Sequence, residues 1–426
     1  MRILIRPGGF EWTNLGDVAM AQVAVSRLAS LWPGARIDVI TRSAERLEQF
    51  CPGTFPVPAD GQAAWFGEGS AFGGPLYSFL VPRRLRPPAG RAEAYLRRRW
   101  PRLAHNAVRL GEMRRPPQQR TLTAFSRALV RADLFVVSGA GDITSAFESQ
   151  ALVLLGLIEI AHTLGVQTVL LGQGLGPIDT AKLWERARAV LPLADLIAIR
   201  EKRKSVALLD ESGVDPERVI VTGDDAIEVA YEKRNSHLGN GIGINLRSAS
   251  YASVDDTLVD QLRPVLFDAA SRHAAPLVPV PVRLAGADSD VWTIGRLLKV
   301  LSDGSDEWGE IATPQQLARR VGLCRVVVTG SYHAAVFALA QGIPAVALAR
   351  SDYYVDKFLG LADLFDGGCE LVQFDEPGFS VRLGAAIDRA WVQADQTRSR
   401  LLVAAARQVA ASNAAYQRCR ALVPAA

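Results

Sequence analysis

RVVVTGSYHAAVFALAQGIPAVAL, residues 325–348, spells out one strand–turn–helix–strand unit. The apolar run at 326–329 predicts a buried strand. Residues 330–332 predict a tight turn, His333 the opening of a helix, Gly342 its stop, and 345–348 a second buried strand. Short apolar runs joined by a turn and a short helix form a βαβ unit of a parallel sheet. His333 then stands where a strand hands over to a helix. Open α/β sheets bind ligands at that edge. Free backbone N–H groups and the helix dipole favour an anion there, and an imidazole beside an anion site is an acid/base device.

The same rhythm runs outward along the chain. Strands are predicted at 3–5, 36–40, 134–137, 168–171, 195–199 and 219–222, with helices at 18–31 and 152–164. Residues 232–240, EKRNSHLGN, are poor in apolar side chains and read as a linker. A second series follows, with strands at 241–246 and 277–282 and helices at 258–270, 291–301 and 314–321. The Ala-, Leu- and Arg-rich tail, 384–420, reads as a helix that returns toward the first series. Alternating strands and helices imply parallel, doubly wound sheets. The expected architecture is α/β, with two Rossmann-like domains facing a cleft: 1–235, carrying an insertion at about 65–131, and 236–426 with terminal helices.

The insertion breaks the pattern. Residues 65–82 are rich in Gly, Pro and aromatics. Residues 83–131 carry fourteen arginines against Glu93 and Glu112, a local charge of +12 in a chain of net +4, so the remainder carries −8. Three readings stay open: a solvated basic helical segment, a surface for an anionic membrane or lipid-diphosphate acceptor, and a nucleic-acid contact. No nucleic-acid-binding motif accompanies it, so no nucleic acid is expected. Cys51, Cys324, Cys369 and Cys419 are scattered without a C-x-x-C pair. They read as reduced thiols of a cytoplasmic protein, neither a disulfide frame nor a metal site. The MRILIRPGG start leads straight into a strand, with no signal peptide expected. No uninterrupted apolar run approaches the roughly 20 residues of a membrane span.

Six stretches after predicted strands are candidate ligand loops. In the first, Asn14 or Asp17 either caps the next helix or, with Gly16, shapes an anion or sugar pocket with Asp17 as base. Ser138-Gly139-Ala140-Gly141-Asp142 and Gly172-Gln173-Gly174-Leu175-Gly176-Pro177 are small enough to let backbone approach a ligand. Their glycines lack both the dinucleotide fingerprint and a Walker lysine. Arg200 ends an apolar run and either clamps phosphate or carboxylate or pairs with Glu201 on the surface. Asp224 and Asp225, being adjacent, point apart, and one of them holds the hinge or a sugar hydroxyl. Ser331, Tyr332 and His333 form the last loop, and Lys357 is expected nearby.

Taken together, NLGD, SGAGD, GQGLGPI, IAIREKRKSVALLDESGV, TGDDA, GINLR and SYHAAVFALAQGIPAVAL resemble the polysaccharide pyruvyl transferase family over most of the chain, from residue 3 to about 365. The resemblance implies a GT-B-like fold. It also implies transfer of the enolpyruvyl unit of phosphoenolpyruvate onto sugar hydroxyls, forming a pyruvate ketal on a glycan or glycolipid precursor. It needs no metal or nucleotide, only phosphoenolpyruvate as co-substrate. Where the family carries Arg-x-His, this chain has Ser331 and His333. Anion binding then falls to Arg200, Arg247 and Lys357. On this reading His333 and Asp17 are catalytic. Asn14, Gly16, Gly139, Gly141, Gln173, Gly174, Ser331 and Tyr332 join the cations around the substrate. Two alternatives are a GT-B glycosyltransferase using a nucleotide sugar and a non-catalytic sugar-binding homologue. The protein is expected in the cytoplasm, with the inner membrane face as a peripheral site.

Overall fold

Ile3, Leu4 and Ile5 are all fully buried, Leu4 on one face of a sheet and its neighbours on the other. A strand apolar on both faces needs helices on both sides, which is the setting of a parallel sheet. The computed structural model describes residues 1–67, 86–247, 256–286, 289–298 and 311–423. Within them β1 (Arg2–Pro7), β2 (Arg36–Thr41), β3 (Phe55–Pro58), β4 (Leu134–Ile143), β5 (Gln167–Leu175), β6 (Leu196–Ile199) and β7 (Val219–Val221) form one sheet. Its order is β3-β2-β1-β4-β5-β6-β7, and its pairs are parallel. The second sheet contains β8 (Gly241–Asn245), β9 (Leu277–Pro279), β10 (Cys324–Thr329), β11 (Ala345–Ala349) and β12 (Cys369–Gln373). It is also parallel, in the order β12-β11-β10-β8-β9. The strand order reverses between β1 and β4 in one sheet and between β8 and β10 in the other. Such switch points open a crevice at the carboxyl ends of the strands.

Two of the predicted loops are strand. β4 runs through the SGAGD stretch and β5 through most of GQGLGP. The reason is mutual pairing: Ser138 faces Leu171, Ala140 faces Gln173 and Ile143 faces Leu175, with a register shift that accommodates the irregularity. Gly139 and Gly172 have φ of 52° and 62°, a left-handed conformation that a bulged strand reaches most easily with glycine. Other elements agree to within a few residues. The helix after β10 spans Tyr332–Ala340, and the one predicted at 291–301 spans Asp290–Leu298; residues 299–301 lie outside the described residues.

The two halves share a core. Leu15, Ala19, Met20 and Val23 of the first helix pack with Val278, Phe337 and Leu339 of the second half. The main chain is also stitched across, since Leu15 donates to the Val282 carbonyl and Leu284 to the Thr13 carbonyl, each at 2.9 Å. The terminal helix Phe379–Leu422 spans both halves. Leu383 and Ile387 join the core beside β8 and β10, and Ala415, Tyr416 and Cys419 join the one beside β1. Asp225 locks its far end by accepting hydrogen bonds from Ser412 and, at 2.8 Å, from the Tyr416 hydroxyl.

The Arg-rich segment forms helices Arg86–Arg99, Pro101–Glu112 and Thr121–Val130 between β3 and β4. Most of its aromatic-rich part, 68–82, lies outside the described residues. One stretch, Ser145–Leu164, is long and apolar enough to cross a membrane by length and composition alone. Its Leu154, Leu155, Leu157, Ile158 and Ile160 are buried in the core of the first sheet. All four cysteines are buried and unpaired.

Candidate active site

Both switch points open on one cavity of about 380 Å³. From the first sheet come Arg6, Gly8, Asn14, Asp17, Gly141, Asp142 and Arg200; from the second, Arg247, Arg283, Ser331, His333 and Lys357. Sequence patterning places them at strand ends. The runs ILI, LIAI, GINL and PVPV each terminate in an arginine, at Arg6, Arg200, Arg247 and Arg283. An apolar run buries its strand, and the terminal guanidinium emerges at the crevice.

The arginines are held before any ligand arrives. Arg200 Nη1 lies 3.1 Å from Asp224 Oδ2, both side chains almost wholly buried. Its guanidinium also lies 4.5 Å from the Tyr332 ring centroid. The alternative reading, a surface pair with Glu201, does not form. Glu201 instead accepts hydrogen bonds from the Lys204 and Ser205 backbone and caps the next helix. Arg6 pairs with Asp142 at 2.9 Å and Arg247 with Asp290 at 3.5 Å. Lys357 donates to the Tyr353 hydroxyl and sits 3.9 Å from that ring's centroid. Burial, then the field of Arg200, pushes the Lys357 amine well below the usual lysine range.

Four predicted ligand-contacting glycines make room for the protein's own side chains. A Cβ on Gly141 would lie 2.8 Å from Arg200 Nη2 and 3.1 Å from Lys357 Nζ, and one on Gly174 2.8 Å from Arg200 Nε. A Cβ on Gly16 would lie 2.5 Å from His333 Cδ2, with Cγ and Nδ1 nearer still, and one on Gly139 would strike Met20. Of these only Gly141 lines the cavity. Gln173 does not reach it either: its amide is fully buried and donates to the Val137 and Leu171 carbonyls at 3.3 and 2.9 Å.

His333 is therefore clamped between the two halves. Its ring lies against Gly16 and edge-on to Tyr332, 5.4 Å between centroids. Its Nε2 is buried without a hydrogen-bond partner, 3.7 Å from Asp224 Oδ2. Burial, with Arg200, Lys357 and Arg247 adding to it, holds the imidazole well below its ordinary pKa. Asp17 moves the other way. Burial and then the nearby Asp142 raise its carboxyl to about 6, against the pull of Arg247 and Arg200. Asn14 caps the same helix by accepting from Gly16 N at 3.0 Å. Ser331 is the N-cap residue of the His333 helix, but its side chain makes no capping bond.

The site thus presents a neutral imidazole, a carboxyl titrating near neutrality and a ring of cations. That set suits an anionic substrate undergoing proton transfer.

The sequence model of the family described as polysaccharide pyruvyl transferase matches residues 14–352. The chain belongs to the polysaccharide pyruvyl transferase family. Its members are transferases, and the matched span takes in the second switch point, β4 of the first and every cavity residue from Asn14 to His333, while β1 with Arg6, and Lys357, lie outside it. No curated protein matches the chain. Solved structures share the fold at low identity. UDP-GlcNAc 2-epimerase from Neisseria meningitidis, bound to UDP-GlcNAc, is 12% identical over 100% of both chains, with a TM-score of 0.53. The Os79 protein of O. sativa in complex with UDP is 13% identical over 99% of this chain and 100% of that one, with a TM-score of 0.56. A glycosyltransferase from Rickettsia africae is 10% identical over 99% and 97%, with a TM-score of 0.51. The family member has the two-domain architecture of GT-B glycosyltransferases and epimerases.

Sequence reasoning missed Arg6, Asp142 as its partner, Arg283, Tyr353 and the anchoring of Arg247 by Asp290. For the two arginines the signal was present, in the arginine-terminated apolar run. For Asp290 there was none, because it reaches β8 from a separate helix. Among the described residues no three His, Cys, Asp or Glu side chains gather as a metal site requires.

Proposed function

We propose that this transferase moves the pyruvyl unit of phosphoenolpyruvate onto two hydroxyls of a sugar in a glycan or glycolipid precursor, releasing phosphate and leaving a cyclic ketal. One observation carries the reading: Arg200, Arg247 and Lys357 line the same cavity as His333 and Asp17. Phosphoenolpyruvate is a small anion with a carboxylate and a phosphate, and fixed cations suit both groups. Arg200 is the anion clamp, its guanidinium held by Asp224 and Tyr332.

In the first step the acceptor oxygen bonds to C2 while C3 takes a proton, and the double bond is consumed. His333, neutral in the empty site, takes the hydroxyl proton, and Asp17, protonated up to about pH 6, supplies the one for C3. In the second step the C2–phosphate bond breaks, the second hydroxyl bonds to C2, and its proton leaves with phosphate. A bound dianion offsets the cations that depress His333 and Lys357, so binding strengthens the imidazole as the base that takes the hydroxyl proton and brings Lys357 toward its charged form. As written, the chemistry uses no cofactor. Four buried thiols without a disulfide suit the reducing cytoplasm, where we place the reaction.

A nucleotide-sugar donor is the second reading, favoured by the shared fold of proteins whose structures hold UDP or UDP-GlcNAc. Thermal unfolding against millimolar phosphoenolpyruvate and a panel of nucleotide sugars separates the two. A ligand at 100 times its Kd adds about 2.7 kcal/mol. Stabilisation by phosphoenolpyruvate, with acceptor-dependent phosphate release cut about 100-fold in a folded His333→Ala variant, is the expected result. Stabilisation by a nucleotide sugar alone would transfer the assignment to the second reading, and by neither donor would leave the sugar-binding homologue.

A further inference from the structure

The helix Pro101–Glu112 carries two apolar stripes. Pro101, Ala104 and Val108 face inward and are buried. Leu103, Ala107 and Leu110 recur at helical spacing on the opposite side, with Leu103 and Leu110 66% and 64% exposed. One stripe suffices to pack a helix on a core. The second is continued by exposed Tyr95, Leu96 and Trp100 at the preceding corner, the Tyr95 and Trp100 rings meeting edge-on, and by Met113 after the helix. Six of the fifteen large apolar side chains exposed among the described residues therefore lie between residues 95 and 113.

The charge around this stripe is of one sign. Arg98, Arg99, Arg102, Arg109 and Arg114 are exposed. The only carboxylates of residues 83–131 are Glu93 and Glu112, and both are turned inward, 5% and 4% exposed. Glu112 accepts from Thr123 N at 2.9 Å, and Glu93 lies 3.9 Å from buried Arg97. Arg97 in turn donates to the Ala64, Trp65 and Gly67 carbonyls, fastening the segment to the helix Ala59–Phe66. The segment thus hides both its acids and, apart from exposed Asn106, Gln118 and Gln119, shows solvent arginine, aromatic and aliphatic groups. It packs against the helix Glu148–Leu164, whose first turn contributes Gln150 to the cavity.

We propose that this face docks on an anionic lipid bilayer, the Leu103–Leu110 stripe entering the interfacial region and the flanking arginines meeting the headgroups. Basic and aromatic side chains beside an apolar stripe are the composition of an interfacial helix. Aliphatic insertion separates this partner from nucleic acid, which would engage the arginines alone. The inference is independent of the donor assigned above.

The test is co-sedimentation of the full chain with phosphatidylglycerol vesicles and with phosphatidylcholine vesicles at low salt. We expect binding to the first and little to the second. Each arginine near an anionic surface contributes roughly 1 kcal/mol, so Arg99→Glu, Arg109→Glu and Arg114→Glu together, which replace attraction by repulsion, should lower partitioning by at least about 100-fold. Leu103→Ser with Leu110→Ser should lower it at least tenfold. All five positions are exposed, and circular dichroism checks that both variants fold. Equal binding to both vesicle types, undiminished binding by either folded variant, or retention by duplex DNA with no vesicle binding would each overturn the proposal.

Discussion

Gly16→Ala should cripple catalysis without removing a functional group. The added methyl would lie 2.5 Å from His333 Cδ2, so the ring must retreat by at least about 0.9 Å to reach the 3.4 Å at which ordinary contact begins. Retreat is obstructed, because every residue of the helix Tyr332–Ala340 is buried. Overpacking of this kind costs about 1–3 kcal/mol, and a displacement near 1 Å in a reacting group costs roughly 100-fold in turnover. The assay is steady-state phosphate release alongside a denaturant melt. Gly384→Ala is the control: the nearest atom to its added methyl is 3.9 Å away, and it lies inside the terminal helix. There alanine should stabilise by up to about 1 kcal/mol. Wild-type turnover and stability in Gly16→Ala would refute the claim that the Gly16–His333 contact positions the imidazole.

Other expectations follow from the buried charges. Asp17 is held at about 6, above its ordinary 3.8, so the folded state binds its proton more tightly than the unfolded state. That contribution is complete below about pH 4 and is lost as pH rises through 6. Asp17→Asn should therefore melt above wild type at pH 8, lose the difference toward pH 4, and still lose turnover; a melting difference independent of pH would contradict the assignment. Removing Arg200 alone leaves Asp224 buried and unpaired and should cost about 3–5 kcal/mol, whereas Arg200→Met with Asp224→Leu should recover part of it in a double-mutant cycle. Tyr416→Phe removes one hydrogen bond to buried Asp225 and should cost about 1.5–3 kcal/mol by denaturant melt.

The strand positions were legible in the sequence wherever an apolar run was buried on both faces, as at Ile3–Ile5 and Val326–Val328, because such runs have few alternatives to a central parallel strand. His333 and Arg200 were legible for the same reason, each standing at the end of such a run. The roles of Gly139, Gly174 and Gln173 were not. A small residue after a strand has the same local signature whether it admits a ligand, a neighbouring arginine or a bulge. Asp224 and Asp225 were seen to diverge, but their partners, Arg200 on one side and Ser412 with Tyr416 on the other, are set by the packing of distant elements.

Two parallel sheets and a long terminal helix could be read from local properties, the periodicity of apolar residues and the chemistry of turns. Long-range packing set the rest: β4 and β5 extend through their glycines, Gly16 rests on His333 across the cleft, and four strand-ending arginines converge. Those outcomes depend on contacts between residues tens to hundreds of positions apart, such as Gly16 with His333 and Asp142 with Arg6. No short window of sequence contains both partners.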